Sequence, residues 1–405
     1  MQKPSKLAQI PQIRFAGFTE DWERRKFGEL AVKESNCDIS SIDMPCVEYE
    51  DVIANEGQLN KDISLKEMQK KGIIFDGSQV LFGKLRPYLH NWLNPDFKGV
   101  AVGDWWVLRP IELDKNFLYR LIQTQQFDDI ANQSAGSKMP RADWNLIAET
   151  EFIVPNLIEE QNKIGELFAN LDKLITLHQS KFEKLQKIKK SCLQNLFPQN
   201  NQNTPKIRFK NFSDEWVESR LGELGETYSG LSGKTKNDFG RGNAKYITYL
   251  NVFSNSIADI KLTEPIEKDE KQNQVKFGDV LFTTSSETPN EVGMSSVWLG
   301  NFQNCYLNSF CFGYRLTQKI NHYYLAYLLR SENIRNEIIL LAQGISRYNI
   351  SKNKMMDISI SIPNSEEQEK IGAFFSKLDK LITLQQRKVE KLKNIKKALL
   401  NKMLI

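Results

Sequence analysis

The chain is written twice, and no other feature constrains its fold as much. PQIRFAGFTEDWERRKFGEL at 11–30 returns as PKIRFKNFSDEWVESRLGEL at 205–224, with nine of twenty positions identical. EEQNKIGELFANLDKLITLHQSKFEKLQKIKKSCLQNL at 159–196 returns as EEQEKIGAFFSKLDKLITLQQRKVEKLKNIKKALLNKM at 366–403, with twenty-three of thirty-eight identical. A repeat of this kind announces two copies of one structural unit. Each copy runs from a short opening, through a long middle, into a helix. The middles have diverged far more than the flanks. FDGSQVLFGKLRP (75–87) and FGDVLFTTSSETP (277–289) keep a VLF core, and GSKMPRADWNLIAETEFIVP (136–155) parallels GISRYNISKNKMMDISISIP (344–363). A duplication that simply drifted is the plain reading. Drift alone does not spare long surface-rich helices while rewriting the domains between them, so the pattern reads as one frame carrying two different readers.

The middles mix strand and helix signals. VEYEDVIA, IIFDGSQVLF, GVAVGDWWVLRP, AKYITYLNVF and CYLNSFCFGYRL carry β-branched and aromatic runs punctuated by Gly. Residues 115–132 and 321–343 have helical spacing. FPQNNQNTP, around Pro198, breaks the preceding helix and reads as a linker. The expected organisation is a recognition domain at 1–152, a central helix at 153–197, a linker at 198–204, a second domain at 205–362 and a distal helix at 363–405. The fold class is α+β: two mixed α/β domains joined by two long antiparallel coiled-coil helices in a pseudo-twofold repeat.

The helices carry a near-heptad apolar stripe. Its seam positions are Ile164, Leu171, His178 and Leu185 in the first copy, and Ile371, Leu378, Gln385 and Leu392 in the second. Thirty-eight helical residues span roughly 57 Å, enough for a spacer. His178 and Gln385 fall at equivalent positions, and a polar layer there fixes register at some cost in stability. Reading His178 as a metal ligand or base is the sharper idea, but an interface role accounts for it without chemistry.

Enzyme and membrane classes find little support. SGLSGKT (229–235) fails as a phosphate loop because Tyr228 stands where the motif needs Gly. NPDF (94–97) has Asp96 where the amino-methyltransferase tetrapeptide needs a second Pro, and no acid–x–Lys follows Pro95–Asp96 closely enough for a nuclease. Five cysteines without a CxxC pair and three histidines argue against a disulfide framework or a structural zinc, and fit reduced thiols in the cytoplasm. No apolar run reaches the roughly 18 residues of a membrane helix, and the N-terminus lacks a signal-peptide core. The net charge of +5 is modest. Lys+Arg minus Asp+Glu over residues 1–152 is 19 − 23 = −4, so charge alone does not mark a nucleic-acid binder.

The paired openings IRFAGFTEDWERRKFGEL and IRFKNFSDEWVESRLGEL, and the endings VPNLIEEQNKIGELFANLDKLITL and IPNSEEQEKIGAFFSKLDKLITL, carry a specific resemblance. Over essentially its whole length the chain resembles the specificity subunit of type I restriction–modification systems. The resemblance implies two target recognition domains, each reading one half of a bipartite asymmetric double-stranded DNA site. The helices act as a ruler between the halves. The subunit is non-catalytic and binds no cofactor. It recruits two modification (HsdM) subunits, which use S-adenosylmethionine to methylate adenine. Through them it recruits restriction (HsdR) subunits that use ATP and Mg.

Which residues touch DNA is read from loop chemistry, since the family motifs mark the frame. In the first domain the candidates are Lys84 and Arg86 of GKLRPY, with Ser137, Lys138 and Arg141 of GSKMPRADW. In the second they are Thr283, Thr284, Ser285 and Ser286 of FTTSSETPN, with Ser346, Arg347, Tyr348 and Asn349 of GISRYNISK. The alternative for each is an ordinary polar loop or a structural ion pair. Trp105, Trp106 and Trp144 read as core, and the matched Trp22 and Trp216 as shared packing. Two other functions remain open: a standalone sequence-specific DNA-binding regulator, and a non-catalytic protein scaffold. Exposed apolar residues on the outer helix faces would favour partner docking.

Overall fold

The VLF run that survives in both middles forms an inner strand in each copy. Val80–Gly83 and Val280–Thr283 are buried at every position, as strands covered on both faces must be. The computed structural model describes residues 10–64, 66, 69–133, 138–199 and 202–404. The backbone divides into two units, Met1–Gln179 with Arg387–Ile405, and Ser180–Gln386. Each long helix therefore contributes one part to each unit, across the boundaries expected from sequence.

In the first unit an antiparallel sheet runs in the order Ala31–Glu34, Trp105–Pro110, Val80–Gly83, Trp92–Leu93. A second sheet runs Cys37–Ile39, Lys71–Phe75, Gly99–Ala101, Cys46–Val47 and ends on a parallel pair. The second unit repeats the first sheet as Gly225–Ser229, Cys311–Leu316, Val280–Thr283 and Ser295–Val297. Its other main sheet has three strands, Thr263–Ile266, Phe239–Ile247 and Cys305–Leu307, the last pair again parallel. Helices Lys115–Leu121 and Gln125–Ala131 start on side-chain caps from Asp114 and Thr124. Trp22, Phe27, Phe82, Trp106, Phe117 and Phe127 join them in one core. Trp216, Phe282, Phe312, Tyr324 and Phe375 do the same in the second unit.

The repeated openings and endings meet. Arg14 of the first IRF donates to both carboxylate oxygens of Glu160, at 2.6 and 2.8 Å. Arg208 of the second IRF donates to Glu367 at 2.7 and 2.8 Å, where the Trp216 indole adds a third donor at 3.2 Å. The following glutamines also act alike. Gln161 accepts from the Asp114 amide and donates to the Pro155 carbonyl, and Gln368 accepts from the Asn321 amide and donates to the Pro363 carbonyl. Gly165 and Gly372 let the long helices touch those same caps. A Cβ on Gly165 would lie 2.6 Å from Asp114 Oδ1, and one on Gly372 2.8 Å from Asn321 Oδ1. Every fixed letter of E-E-Q-x-K-I-G except its first Glu thus has a packing or bonding task in both copies. Lys163 and Lys370 lie over the matched Phe18 and Phe212 rings of the openings, 4.9 and 4.6 Å from their centroids, and Ile164 and Ile371 are each 1% exposed. Gly165→Ala and Gly372→Ala should each lower stability by about 1–3 kcal/mol through overpacking. That outcome outweighs the roughly 1 kcal/mol that Ala otherwise gains in a helix. Urea midpoints check it, and an unchanged or raised midpoint would count against the close approach.

The central helix is Ile158–Asn195 and the distal helix Ser365–Met403. In the first unit Ile164, Phe168 and Leu171 share a core with Leu392, Leu399, Met403 and Leu404, and Asp172 meets Lys396 at 2.6 Å. In the second unit Ile371 and Phe375 pack with Cys192, Leu193, Leu196 and Phe197, and Asp379 meets Lys189 at 2.6 Å. Within each unit the two helices therefore run antiparallel. Of the seam positions, Ile164, Leu171, Ile371 and Leu378 are buried, while His178, Leu185, Gln385 and Leu392 are half-buried. Among the described residues no helix is long and apolar enough to cross a membrane, and no cluster of His, Cys, Asp or Glu could hold a metal ion.

Candidate nucleic-acid interface

In each unit the inner strand runs out of the sheet into a polar segment that pairs with the loop before the last short helix. In the first unit Leu85 bridges Arg141 in antiparallel register. The Ala142 amide donates to the Lys84 carbonyl at 2.8 Å and the Arg86 amide to the Pro140 carbonyl at 2.7 Å. The Lys84 amide donates to the Asp104 carbonyl at 2.9 Å. In the second unit Ser285 pairs with Asn349 and Ser286 with Tyr348. The Ile350 amide donates to the Thr284 carbonyl at 3.0 Å, and the Thr284 amide to the Phe310 carbonyl at 2.8 Å. The backbone frame is the same. The side chains at its positions are not: where one unit has Lys84, Arg86, Asp104 and Arg141, the other has Thr284, Ser286, Phe310 and Asn349.

The first frame is cationic and braced. Arg141 donates to Asp104 from Nε at 3.2 Å and from a terminal nitrogen at 3.0 Å, and Lys84 lies 3.5 Å from the same carboxylate. The Arg141 hydrogen bond holds the Asp104 carboxyl below its ordinary range, against the opposing effect of burial. The brace is thus kept at neutral pH and opens only in acid. Tyr49 ties the segment from beneath, donating to the Asp104 carbonyl at 2.7 Å and accepting from the Leu85 amide at 2.9 Å. Arg86 takes φ 49°, left-handed for a residue with a Cβ and directly before Pro87. Its side chain is exposed, as is that of Lys138, and neither has an ion pair among the described residues. Ser137 lies outside the described residues.

The second frame presents hydroxyls and aromatic rings, with one cation, Arg347, and two carboxylates, Glu287 and Glu291, beside them. Thr283 is fully buried, its hydroxyl accepting from the Met294 amide at 2.9 Å, and Ser285 and Ser286 are buried too. Thr284 is half-buried and its hydroxyl donates to the Phe310 carbonyl at 2.8 Å. Ser346, Arg347 and Asn349 are exposed and Tyr348 is half-buried. Arg347 sits over the Phe310 ring, 5.4 Å from its centroid. Phe310, Tyr249, Glu287 and Glu291 line a cleft of about 410 Å³ with Arg347. The Tyr249 hydroxyl donates to the Ser285 carbonyl at 2.7 Å.

The structure brings the two candidate loops of each domain together, and adds residues that loop chemistry alone did not single out. Tyr49 and Tyr249 were legible in principle: both stand three residues before a Val and at the same distance ahead of VLF. Asp104 and Phe310 carried no such mark, because both lay inside runs read as strands. Trp105 and Trp106 are buried, and so are Trp22 and Trp216.

The frame and its two copies have relatives. The family model for the type I restriction modification DNA specificity domain matches residues 19–189 and again 213–394. The type I restriction enzyme MjaVIII specificity subunit of Methanocaldococcus jannaschii is 22% identical over 384 residues, 85% of this chain and 80% of that protein. The putative MjaX specificity subunit of the same organism is 25% identical over 210 residues, 50% of this chain and 48% of that protein. Among solved structures, the type I restriction–modification S subunit from M. genitalium aligns with a TM-score of 0.62 at 14% identity, over 98% of this chain and 99% of that one. A chain from a structure of type I system assembly and conformational transition aligns with a TM-score of 0.54 at 18% identity, over 94% and 97%.

Proposed function

This chain belongs to the family of type I restriction–modification DNA specificity subunits, and on that premise we propose that each of its two domains reads one half of a bipartite, asymmetric double-stranded DNA site. Subunits of this family are non-catalytic parts of their complexes. The observation that carries the reading is the shared backbone frame at Leu85–Arg141 and Ser285–Asn349, presenting a cationic set in one copy and a hydroxyl and aromatic set with a single cation, Arg347, in the other. Arg86, Lys138 and Arg141 offer guanine-reading or phosphate-binding groups in the first domain. Ser137 and Lys84 join them there, and Thr284, Ser346, Arg347, Tyr348 and Asn349 do the reading in the second. Thr283, Ser285 and Ser286 act from within the frame, fixing its shape.

Two modification subunits dock on the helices and methylate adenine with S-adenosylmethionine, and restriction subunits join through them with ATP and Mg. Exposed apolar side chains support docking. In the first unit they are Leu174, Leu177 and Ile395, and in the second Leu381, Leu384 and Ile188, all between 38% and 49% exposed. The two sets occupy equivalent repeat positions, so a surface fit for one partner is presented twice.

Genome-wide mapping of methyladenine tests the function, comparing a strain that carries this gene and its modification partner with a deletion of this gene alone. A split motif present in the first and absent from the second is the expected result. No lost motif, with the partner expressed and active, would turn the reading toward a regulator or a scaffold.

Arg86→Gly separates reading from folding. Glycine accepts the left-handed backbone without the roughly 1–2 kcal/mol penalty of a side chain there, so the protein should melt slightly higher. Affinity for the first half-site should fall by about 1–3 kcal/mol, with the preference for the other half unchanged. Binding to duplexes with each half scrambled in turn reads this out. Equal loss at both halves would refute modular reading.

A further inference from the structure

The ladder of the second frame runs out onto two opposite charges that do not meet. Ser285 pairs with Asn349 and Ser286 with Tyr348, so the antiparallel register sets Glu287 opposite Arg347. Opposite charges facing each other across two strands ordinarily pair. Here no ion pair joins them among the described residues, and the guanidinium lies instead over the Phe310 ring, 5.4 Å from its centroid. The nearby Glu291 is engaged in its own turn, accepting from the Thr288 hydroxyl at 2.9 Å and from that of Ser286 at 3.4 Å. Glu287 is exposed, lines the same cleft of about 410 Å³, and has no such task among the described residues.

The first copy shows that the frame does not require this carboxylate. Leu85 and Arg141 hold the register of Ser285 and Asn349, which puts Pro87 where Glu287 stands and Met139 where Arg347 stands. The hairpins differ too. Phe82 pairs with Trp92 across nine intervening residues and Phe282 with Ser295 across twelve, and both carboxylates lie in the longer hairpin. The acid therefore belongs to what distinguishes the second reader from the first.

A carboxylate set against DNA is repelled by the phosphates, and it has no donor for guanine O6 and N7 or for thymine O4. What it can do is accept. The N4 amino group of cytosine is the fitting donor in the major groove, because adenine sets its N7 acceptor beside N6. The cleft favours such a bond: Tyr249 and Phe253 stack in its wall at 6.0 Å, Phe310 adds a third ring, and low-dielectric surroundings strengthen a charged hydrogen bond.

We propose that Glu287 is a specificity-determining residue of the second domain, its carboxylate accepting from the N4 amino group of one cytosine in the second half-site. Arg347, opposite it in the ladder, carries the donors that guanine accepts. The inference rests on the second domain reading DNA and adds to that reading a base.

The test uses the full chain in complex with its modification partners, and duplexes built on the split motif that methyladenine mapping returns. Each base pair of the second half is replaced in turn, and affinities are measured for the parent, Glu287→Ala and Glu287→Gln. The parent should prefer C·G at one position, and Glu287→Ala should cut that preference at least about tenfold, the discrimination a well-placed base contact supplies. Part of the cut should come as tighter binding to the replaced duplexes, because the repulsion leaves with the carboxylate. Glu287→Gln should move the preference at the same position toward A·T, since its amide can meet adenine N6 and N7 together. A side chain that only shaped the loop would not exchange one base for another. Urea midpoints and the preferences in the first half should stay as in the parent. The inference is overturned, with DNA reading intact, if the second half holds no C·G pair, if Glu287→Ala leaves the preference at every C·G pair within about tenfold of the parent's, or if it weakens all second-half positions alike. Absence of any split motif overturns the reading itself, and the inference with it.

Discussion

Glu367→Ala should destabilise the second unit by about 3–5 kcal/mol, the cost of stranding a buried cation rather than of losing an ordinary contact. The Glu367 carboxylate is 0% exposed and receives two nitrogens of Arg208 together with the Trp216 indole. Ala leaves a guanidinium 15% exposed with one remaining acceptor, the Asp214 carbonyl, and orphans the indole donor. Glu160→Ala should do the same to the first unit, where Arg14 loses its bidentate partner. The two sites share no residue, so their effects should add. Hydrogen exchange is the suitable measurement, because two units need not unfold together and a single midpoint would blur them. Protection should fall in 180–386 for Glu367→Ala and in the first unit for Glu160→Ala. A loss under 1 kcal/mol in either would mean that the ion pair is not what holds opening and ending together.

That pair also shows what the sequence could and could not reveal. The repeat made the importance of IRF and EEQ legible, since both blocks survive in both copies. It could not reveal that one block answers the other, because Arg14 and Glu160 are 146 residues apart and nothing local joins them. The helices were legible from their apolar spacing. The unit boundary at Gln179 was not, because a continuous helix carries no mark where its neighbours change. At the interface, the two polar loops of each domain were legible because they follow VLF and precede the last helix in both copies. The inward turn of Thr283, Ser285 and Ser286 was not, since a polar run reads the same whether its hydroxyls face solvent or a backbone amide. Only the register of Ser285 with Asn349 decides that.

The same unit boundary makes the spacer testable. Inserting seven helical residues after Gln179 and seven after Gln386 should leave both half-sites of the methylated motif unchanged and lengthen the gap between them. Both insertions fall where one unit ends and the other begins, so Asp172–Lys396 and Lys189–Asp379 each stay within their own unit. Seven residues add about 10.5 Å, nearly two full turns, and rotate the helix by only about 20°. Along DNA that rise equals about three base pairs at 3.4 Å each. Three base pairs also turn the duplex by about 100°, which the added helix does not follow. Twist therefore opposes rise, and the gap should grow by one to three base pairs, with methylation weaker than in the parent. Insertion into one helix alone gives no such compromise: the two connections between the units then differ in length, so one pair of helix contacts must break and assembly should fail. An unaltered gap after matched insertion would refute the ruler, because the helices would then be lengthened without moving what the domains read.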